Sequence, residues 1–364
     1  MAIYIIIFVF IILGLIIYYS RIPKVRGRYF LGLSIFVILT IALRGENIGY
    51  DTHNYIDYFL NPYSSNTYYQ TATIEPGLAI FNAVIRFVWF NKYFYLFIIS
   101  IFSTIPIFLL FRKFSINPFL SVFLFVSFSI GSSMFIIELA AMRQSLALSF
   151  YAWAIYFYAS NNFKFNRWVV LFLILMFFTH YSSLLGILLF VFSKIKFTKR
   201  QYYLISVIFL IIGFFMEPYS QEIFQIASMF DKGFYFSGEG KTKFSIIPLL
   251  PYWGYFILTI YFLPKKRINN FWIKGFFFAV LLSGLFFYFG GNNLDRMSTY
   301  YYLPALIALP QLFESTKKKH LIHYILLLAL IGYFSYKYFL VFEILTGQDY
   351  SPVPYKSFLS DIFF

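Results

Sequence analysis

IYIIIFVFIILGLIIYY, Ile3 to Tyr19, decides the fold. It carries no charge, and at about 1.5 Å per residue it approaches the ~30 Å hydrocarbon thickness of a bilayer as a helix. No basic residue precedes it and no small-residue cleavage signal follows, so it is expected to be a retained helix and not a signal peptide. Comparable runs recur along the chain, with no long polar block between them. Of the 364 residues 61% are hydrophobic and 12% charged, against about 25% charged in soluble domains. The expectation is an all-α, polytopic integral membrane protein, a single membrane-embedded domain over 1–364. It should hold about 10–12 transmembrane helices plus re-entrant or interfacial helices.

The basic residues orient it. They cluster between apolar runs at Arg21, Lys24, Arg26 and Arg28; Arg112 and Lys113; Lys164 and Arg167; Lys194, Lys196, Lys199 and Arg200; Lys265, Lys266 and Arg267; and Lys317, Lys318 and Lys319. Placing every cluster in the cytoplasm satisfies the positive-inside rule and puts the N-terminus outside. The net charge of +15 then reflects membrane topology, and no nucleic-acid motif accompanies it. The chain has no cysteine, which excludes disulfides, thiol catalysis and cysteine metal sites. Aromatic residues make up 25%; a codon bias explains them more simply than platforms for sugar rings.

The spans follow at about 3–19, 29–43, 93–111, 117–137, 139–159, 202–216, 244–262, 271–290, 297–313 and 321–340. Two runs differ. PGLAIFNAVIRFVWF, Pro76 to Phe90, is short and carries Arg86, so an interfacial or re-entrant helix is expected. Trp168 to Phe192 has basic flanks at both ends, which suits a hairpin of two short helices with His180 near its apex. In this topology only Glu314 of the 14 acids lies on the cytoplasmic side. Acids contribute little to topology, so their segregation suggests that the outer face has a task.

The densest polar segment is RGENIGYDTHNYIDYF, Arg44 to Phe59. It opens an extracytoplasmic loop, 44–92, that includes the interfacial helix; a second outer loop covers 217–243. Arg44 closes the second span at its outer end, where an arginine is either a snorkelling anchor or the partner of an anion. Asp51 stands where a helix N-cap would, a rigid way to present a carboxylate. Glu75 precedes Pro76 and Gly77 at the start of a helix. Arg143 and Gln144 lie about a turn and a half below the outer end of their span, a depth that marks paired or functional arginines. His180 is a structural hydrogen-bonding group or a proton relay, and the spacing of His53 and His180 gives no metal pattern. Asp295 and Arg296 form an ion pair or reach a diphosphate. His320 and His323 are expected at lipid headgroups. Carboxylates that deprotonate a sugar hydroxyl, beside arginines that stabilise a departing diphosphate, suit transfer from a lipid-linked sugar donor.

At these residues the chain resembles the EpsG family of polysaccharide-biosynthesis membrane proteins, related in role to the Wzy-type polymerases of O-antigen and capsule. The matching elements are Arg44, Gly49, Asp51 and Tyr55; Glu75-Pro76-Gly77; Arg143-Gln144; His180 with Ser182 and Ser183; Asp295-Arg296; and PYKSF near the end. The resemblance implies polymerisation of undecaprenyl-diphosphate-linked oligosaccharide repeat units at the outer face of the bacterial cytoplasmic (inner) membrane. Its partners would be those lipid-linked substrates, membrane lipid, and the chain-length regulator and flippase of the pathway. Neither metal nor cofactor is expected. Asp51 is then the leading candidate base, with Glu75, His180 and Asp295 as competitors, while Arg44, Tyr55, Arg143, Gln144 and Arg296 bind substrate. The same groups would serve a single-sugar transferase using a polyprenyl-phosphate donor. A lipid-linked oligosaccharide flippase would spread its charges along a central cavity, and a membrane acyltransferase would rely on His180.

Overall fold

A computed structural model describes residues 2–19, 23–49, 51–62, 75–128, 133–216, 219, 249–286, 291–317, 320–345 and 355–359. The side chains at 286, 291–297, 320, 344 and 345 fall outside that description, as does the expected outer loop 217–243 apart from Tyr219. The architecture is all-α: among the described residues the only strand-like pairing is one isolated bridge between Arg44 and Ser357. The chain divides into two compact units. The first comprises Met1–Phe128, Met134–Leu184 and Gly332–Phe364, the second Ser129–Ser133 and Leu185–Ile331.

The first unit contains α1 (Ala2–Tyr18), α2 (Pro23–Ala42), α3 (Thr52–Leu60), α4 (Pro76–Val88), α5 (Lys92–Phe114), α6 (Pro118–Ser127), α7 (Met134–Ala140), α8 (Met142–Ser160) and α9 (Arg167–Thr179). Asparagine opens three of them. Asn91, Asn117 and Asn166 each accept backbone N–H bonds from the first turn of α5, α6 and α9, satisfying donors that a membrane would leave orphaned. Helix α5 is the central pillar, packed against α2, α3, α4, α6 and α8. Between α8 and α9 the aromatic side chains stack into a seam: Phe157 on Phe172 at 5.6 Å and 8°, Trp153 on Phe172 at 6.0 Å, Phe157 on Trp168 at 5.9 Å. Here the abundant aromatics pack helix against helix.

Helix ends sort into two poles of this unit. At one, Lys113 donates to Ser160 at 2.7 Å, joining the ends of α5 and α8. At the other, the end of α2 meets the start of α5 through Arg44–Ser100 at 2.5 Å and Lys92–Glu46 at 2.5 Å. The short C-terminal segment 355–359 closes this second pole. Gly45 N–H donates to the Lys356 carbonyl at 2.7 Å, Phe358 N–H and the Ser357 hydroxyl to that of Leu43 at 3.0 and 2.7 Å, and Phe358 stacks on Tyr93.

Among the described residues three helices, Pro23–Ala42, Lys92–Phe114 and Leu321–Glu343, are long and apolar enough to cross a membrane, and shorter apolar helices accompany them. Helix α4, at 13 residues, is about 20 Å long and too short to cross ~30 Å of hydrocarbon. It buries Leu78, Asn82 and Ile85 and exposes Ile80, Val84, Phe87 and then Trp89 and Phe90. The run expected as one span over 117–137 is instead two helices, α6 and α7, because Phe128 turns to extended backbone.

The second unit begins within α10 (Leu184–Phe192). It holds α11 (Lys199–Phe215), α12 (Leu250–Phe262), α13 (Phe271–Phe286), α14 (Gly291–Thr316) and the start of α15 (His320–Leu345). Gly275 lets α13 lie directly on Pro304 of α14, where any Cβ would collide with the proline ring. His323, expected at lipid headgroups, is buried and pairs its Nδ1 with the Phe313 carbonyl at 2.9 Å.

Candidate functional site

At the first unit's second pole Arg143 and His180 converge on Glu75. It is the N-cap of α4, in extended backbone just before Pro76, and its side chain is 2% exposed. Both carboxylate oxygens are engaged. Oε2 accepts from Arg143 Nη1 at 3.0 Å, and Oε1 lies 3.1 Å from His180 Nδ1. Arg143 Nε donates to the Tyr55 hydroxyl at 3.2 Å. Four segments far apart in sequence thus supply one hydrogen-bonded chain, Tyr55–Arg143–Glu75–His180.

Glycines make the convergence possible. A Cβ on Gly77 would stand 2.8 Å from the backbone carbon and oxygen of Phe178, so only glycine lets the start of α4 rest on the end of α9. That contact brings Glu75 to His180. Gly49, at φ +96°, adopts a left-handed conformation, and a Cβ there would overlap the Leu139 carbonyl oxygen. Thr52 adds hydrogen bonds from its hydroxyl to the Ile48 and Leu139 carbonyls at 2.7 and 3.2 Å. The Arg44–Phe59 segment is thereby pressed against the α7–α8 junction, two residues before Arg143. His180 occupies the break after α9 in extended backbone (φ −159°, ψ 109°), followed by a 3₁₀ turn over Tyr181–Ser183 and then α10. The break lies where the sequence places a turn.

The electrostatics assign a form to each group. Burial alone would raise the Glu75 carboxyl, but the hydrogen bond from His180 and the charge of Arg143 outweigh it and bring it from its ordinary 4.5 down to about 2. Glu75 is therefore an ionised acceptor at neutral pH. An ionised acceptor at Oε1 fixes the proton of neutral His180 on Nδ1 and makes Nε2 the basic nitrogen. Arg143 and His180 keep 19% and 18% of their side chains exposed, so both present a face outward while the carboxylate between them does not.

Other sequence-derived candidates are placed as follows. Asp51 is the half-buried N-cap of α3, with no side-chain capping bond, and its charge bears on Tyr55 one turn later. Gln144 is buried in α8 beside Arg143. Arg44 is completely buried, donating from Nη1 to the Ile41 carbonyl at 2.8 Å and to Ser100. Asp295 and Arg296 lie on α14 of the second unit, and their side chains are outside the described residues. His53 pairs with Asp57 at 3.3 Å on the exposed side of α3. Among the described residues no group of three or more His, Asp or Glu is gathered as a metal site would require. Sequence reasoning gave no role to Glu138, a buried acid that accepts from the Ser103 hydroxyl at 2.5 Å. Its signal was available: one carboxylate inside the apolar run FIIELAA.

Fold and composition together define an all-α membrane protein with a carboxylate-centred cluster of arginine, histidine and tyrosine at one pole of its first unit. The family model described as the EpsG family matches residues 27–357, nearly the whole chain, and includes every residue of that cluster. The chain belongs to the EpsG family, a Wzy-type polymerase-like family of polysaccharide-biosynthesis membrane proteins. Comparison with curated proteins and with solved structures gives no match.

Proposed function

We propose that the protein polymerises oligosaccharide repeat units carried on a polyprenyl diphosphate, undecaprenyl by family resemblance, at the outer face of the bacterial cytoplasmic membrane. The observation that carries this reading is the bridging of Arg143 and His180 by the buried, ionised Glu75. Base and cation are thereby held a carboxylate's width apart, as a reaction needs when a proton leaves one substrate and negative charge develops on another.

In the proposed step a sugar hydroxyl of the incoming lipid-linked unit gives its proton to His180 Nε2. The oxygen forms a bond to the anomeric carbon of the growing chain. The bond from that carbon to the lipid diphosphate breaks, and the diphosphate leaves with the electron pair. Arg143 stabilises the charge gathering on the leaving group. Glu75 acts through its neighbours: it holds the imidazole in the productive tautomer and stabilises the imidazolium that forms. A carboxylate held near 2 is a weak base at neutral pH, which favours His180 over Glu75 for the proton. Asp51, one turn before Tyr55 at the same pole, is assigned to binding the acceptor sugar.

Gathering the cluster at one pole supports transfer chemistry over a flippase, and product length separates a polymerase from a single-sugar transferase. The test is complementation of a deletion strain. The intact chain should restore a ladder of surface polysaccharide, whereas His180→Gln, Glu75→Gln and Arg143→Ala should each leave a single repeat unit at normal protein level. Ladders of ordinary length from all three variants would overturn the assignment.

A further inference from the structure

Behind the cluster lies a second polar assembly, buried in the first unit and unused by the proposed chemistry. Arg44 is fully enclosed, and its Nε and Nη2 have no hydrogen-bond partner among the described residues. The strongest attraction its charge experiences is from Glu138, itself 1% exposed. The two are joined through α5. Arg44 donates to the Ser100 hydroxyl, and the Ser103 hydroxyl shares its proton between Glu138 and, at 3.1 Å, the Ser100 carbonyl. Glu138 sits in the last turn of α7. Three residues on, Ala141 leaves helical geometry (φ −103°, ψ 72°) and α8 begins, with Arg143 in its first turn. The Ser145 hydroxyl reaches back across this break to the Ile137 carbonyl at 3.0 Å.

A buried carboxyl and a buried guanidinium linked through serines are costly to desolvate and costlier to leave half-paired. Such a couple therefore specifies geometry more than it adds stability. What it specifies here is the α7–α8 break, which sets where Arg143 stands against Glu75. We propose that Glu138 and Arg44 are positioning residues, a buried polar couple linked through Ser100 and Ser103 that fixes this break and so orients Arg143. Only the link to catalysis rests on the functional reading above; the geometry of the break does not.

Because the chain contains no cysteine, a single Ala141→Cys substitution reports on the break through its rate of reaction with a small methanethiosulfonate. In that background Glu138→Ala and Arg44→Ala should each speed labelling by roughly tenfold as the junction opens locally. The paired R44M/E138M variant should return to within about threefold of the parent, because neither buried polar group is then left without its counterpart. Glu138→Gln, which keeps an acceptor for Ser103, carries the test if the alanine variants do not accumulate. With purified protein and lipid-linked repeat unit, its kcat should fall about tenfold or more while KM changes by less than about threefold, as expected for a misplaced group. Unchanged labelling in every variant would overturn the proposal, as would a double variant whose rate is the product of the singles. A raised KM at unchanged kcat for Arg44→Lys would also overturn it, by making Arg44 a substrate contact. If labelling follows the expected pattern but the intact protein makes no polymer, the couple stands and the polymerase reading falls.

Discussion

At the scale of single residues, Glu75 is the hinge of the account. Its carboxyl is depressed from 4.5 to about 2, so its ionised form contributes stability that is fully present above about pH 4.5. That contribution is lost as pH falls through the interval down to about 2. The melting temperature of the detergent-solubilised protein should fall more steeply between those limits for the intact chain than for Glu75→Gln. Parallel pH curves would mean that Glu75 is not ionised by its partners. His180 is expected to show a loss of chain growth of about 10²–10⁴-fold on change to Gln, the range of a general base. Asp51→Asn should weaken acceptor binding, with KM rising more than kcat falls. Arg143, Glu75 and His180 were each legible in the sequence as charged or titratable groups in apolar surroundings. Their bonding was not, because Glu75 and His180 lie 105 positions apart and meet only where α4 touches α9.

Elements bring these residues together by close approach. Helix α4 starts against the last turn of α9 because residue 77 lacks a side chain. Gly77→Ala should displace α4, destabilise the protein by about 1–3 kcal/mol as overpacking does, and reduce polymer formation even though no polar group has changed. A variant with the melting temperature and activity of the parent would show that the α4–α9 contact does not position Glu75. The proline-initiated α4 and the break at His180 follow from local sequence, where Glu75-Pro76-Gly77 and the interrupted run Trp168–Phe192 announce them. The division of the expected 117–137 span into α6 and α7 had a signal that hydropathy averaging passes over, the serines and glycine at Ser127, Ser129, Gly131, Ser132 and Ser133 between its two apolar halves. The α7–α8 break falls three residues past the boundary expected at 138, and its geometry comes from Gly49, Thr52 and Ser103 on other segments.

For the whole molecule, the helical membrane architecture was legible from hydropathy, whereas the division into two compact units has no marker in composition, since apolar runs fill both. The poles of the first unit give a direct check on orientation. Asn61, exposed after α3, and Lys164, exposed before α9, belong to opposite poles. Single cysteines there should react with an impermeant reagent in intact cells at 61 and only after permeabilisation at 164; the reverse pattern would place the cluster in the cytoplasm. The central claim is that a Glu75-organised base and cation join lipid-linked units. It is tested most directly with purified protein and a defined polyprenyl-diphosphate oligosaccharide, by measuring released lipid diphosphate and product length together. The account predicts one lipid diphosphate released for each repeat unit added, a ladder of products, and neither with His180→Gln. Release without chain growth, transfer of one sugar only, or an unaltered ladder from His180→Gln would contradict it.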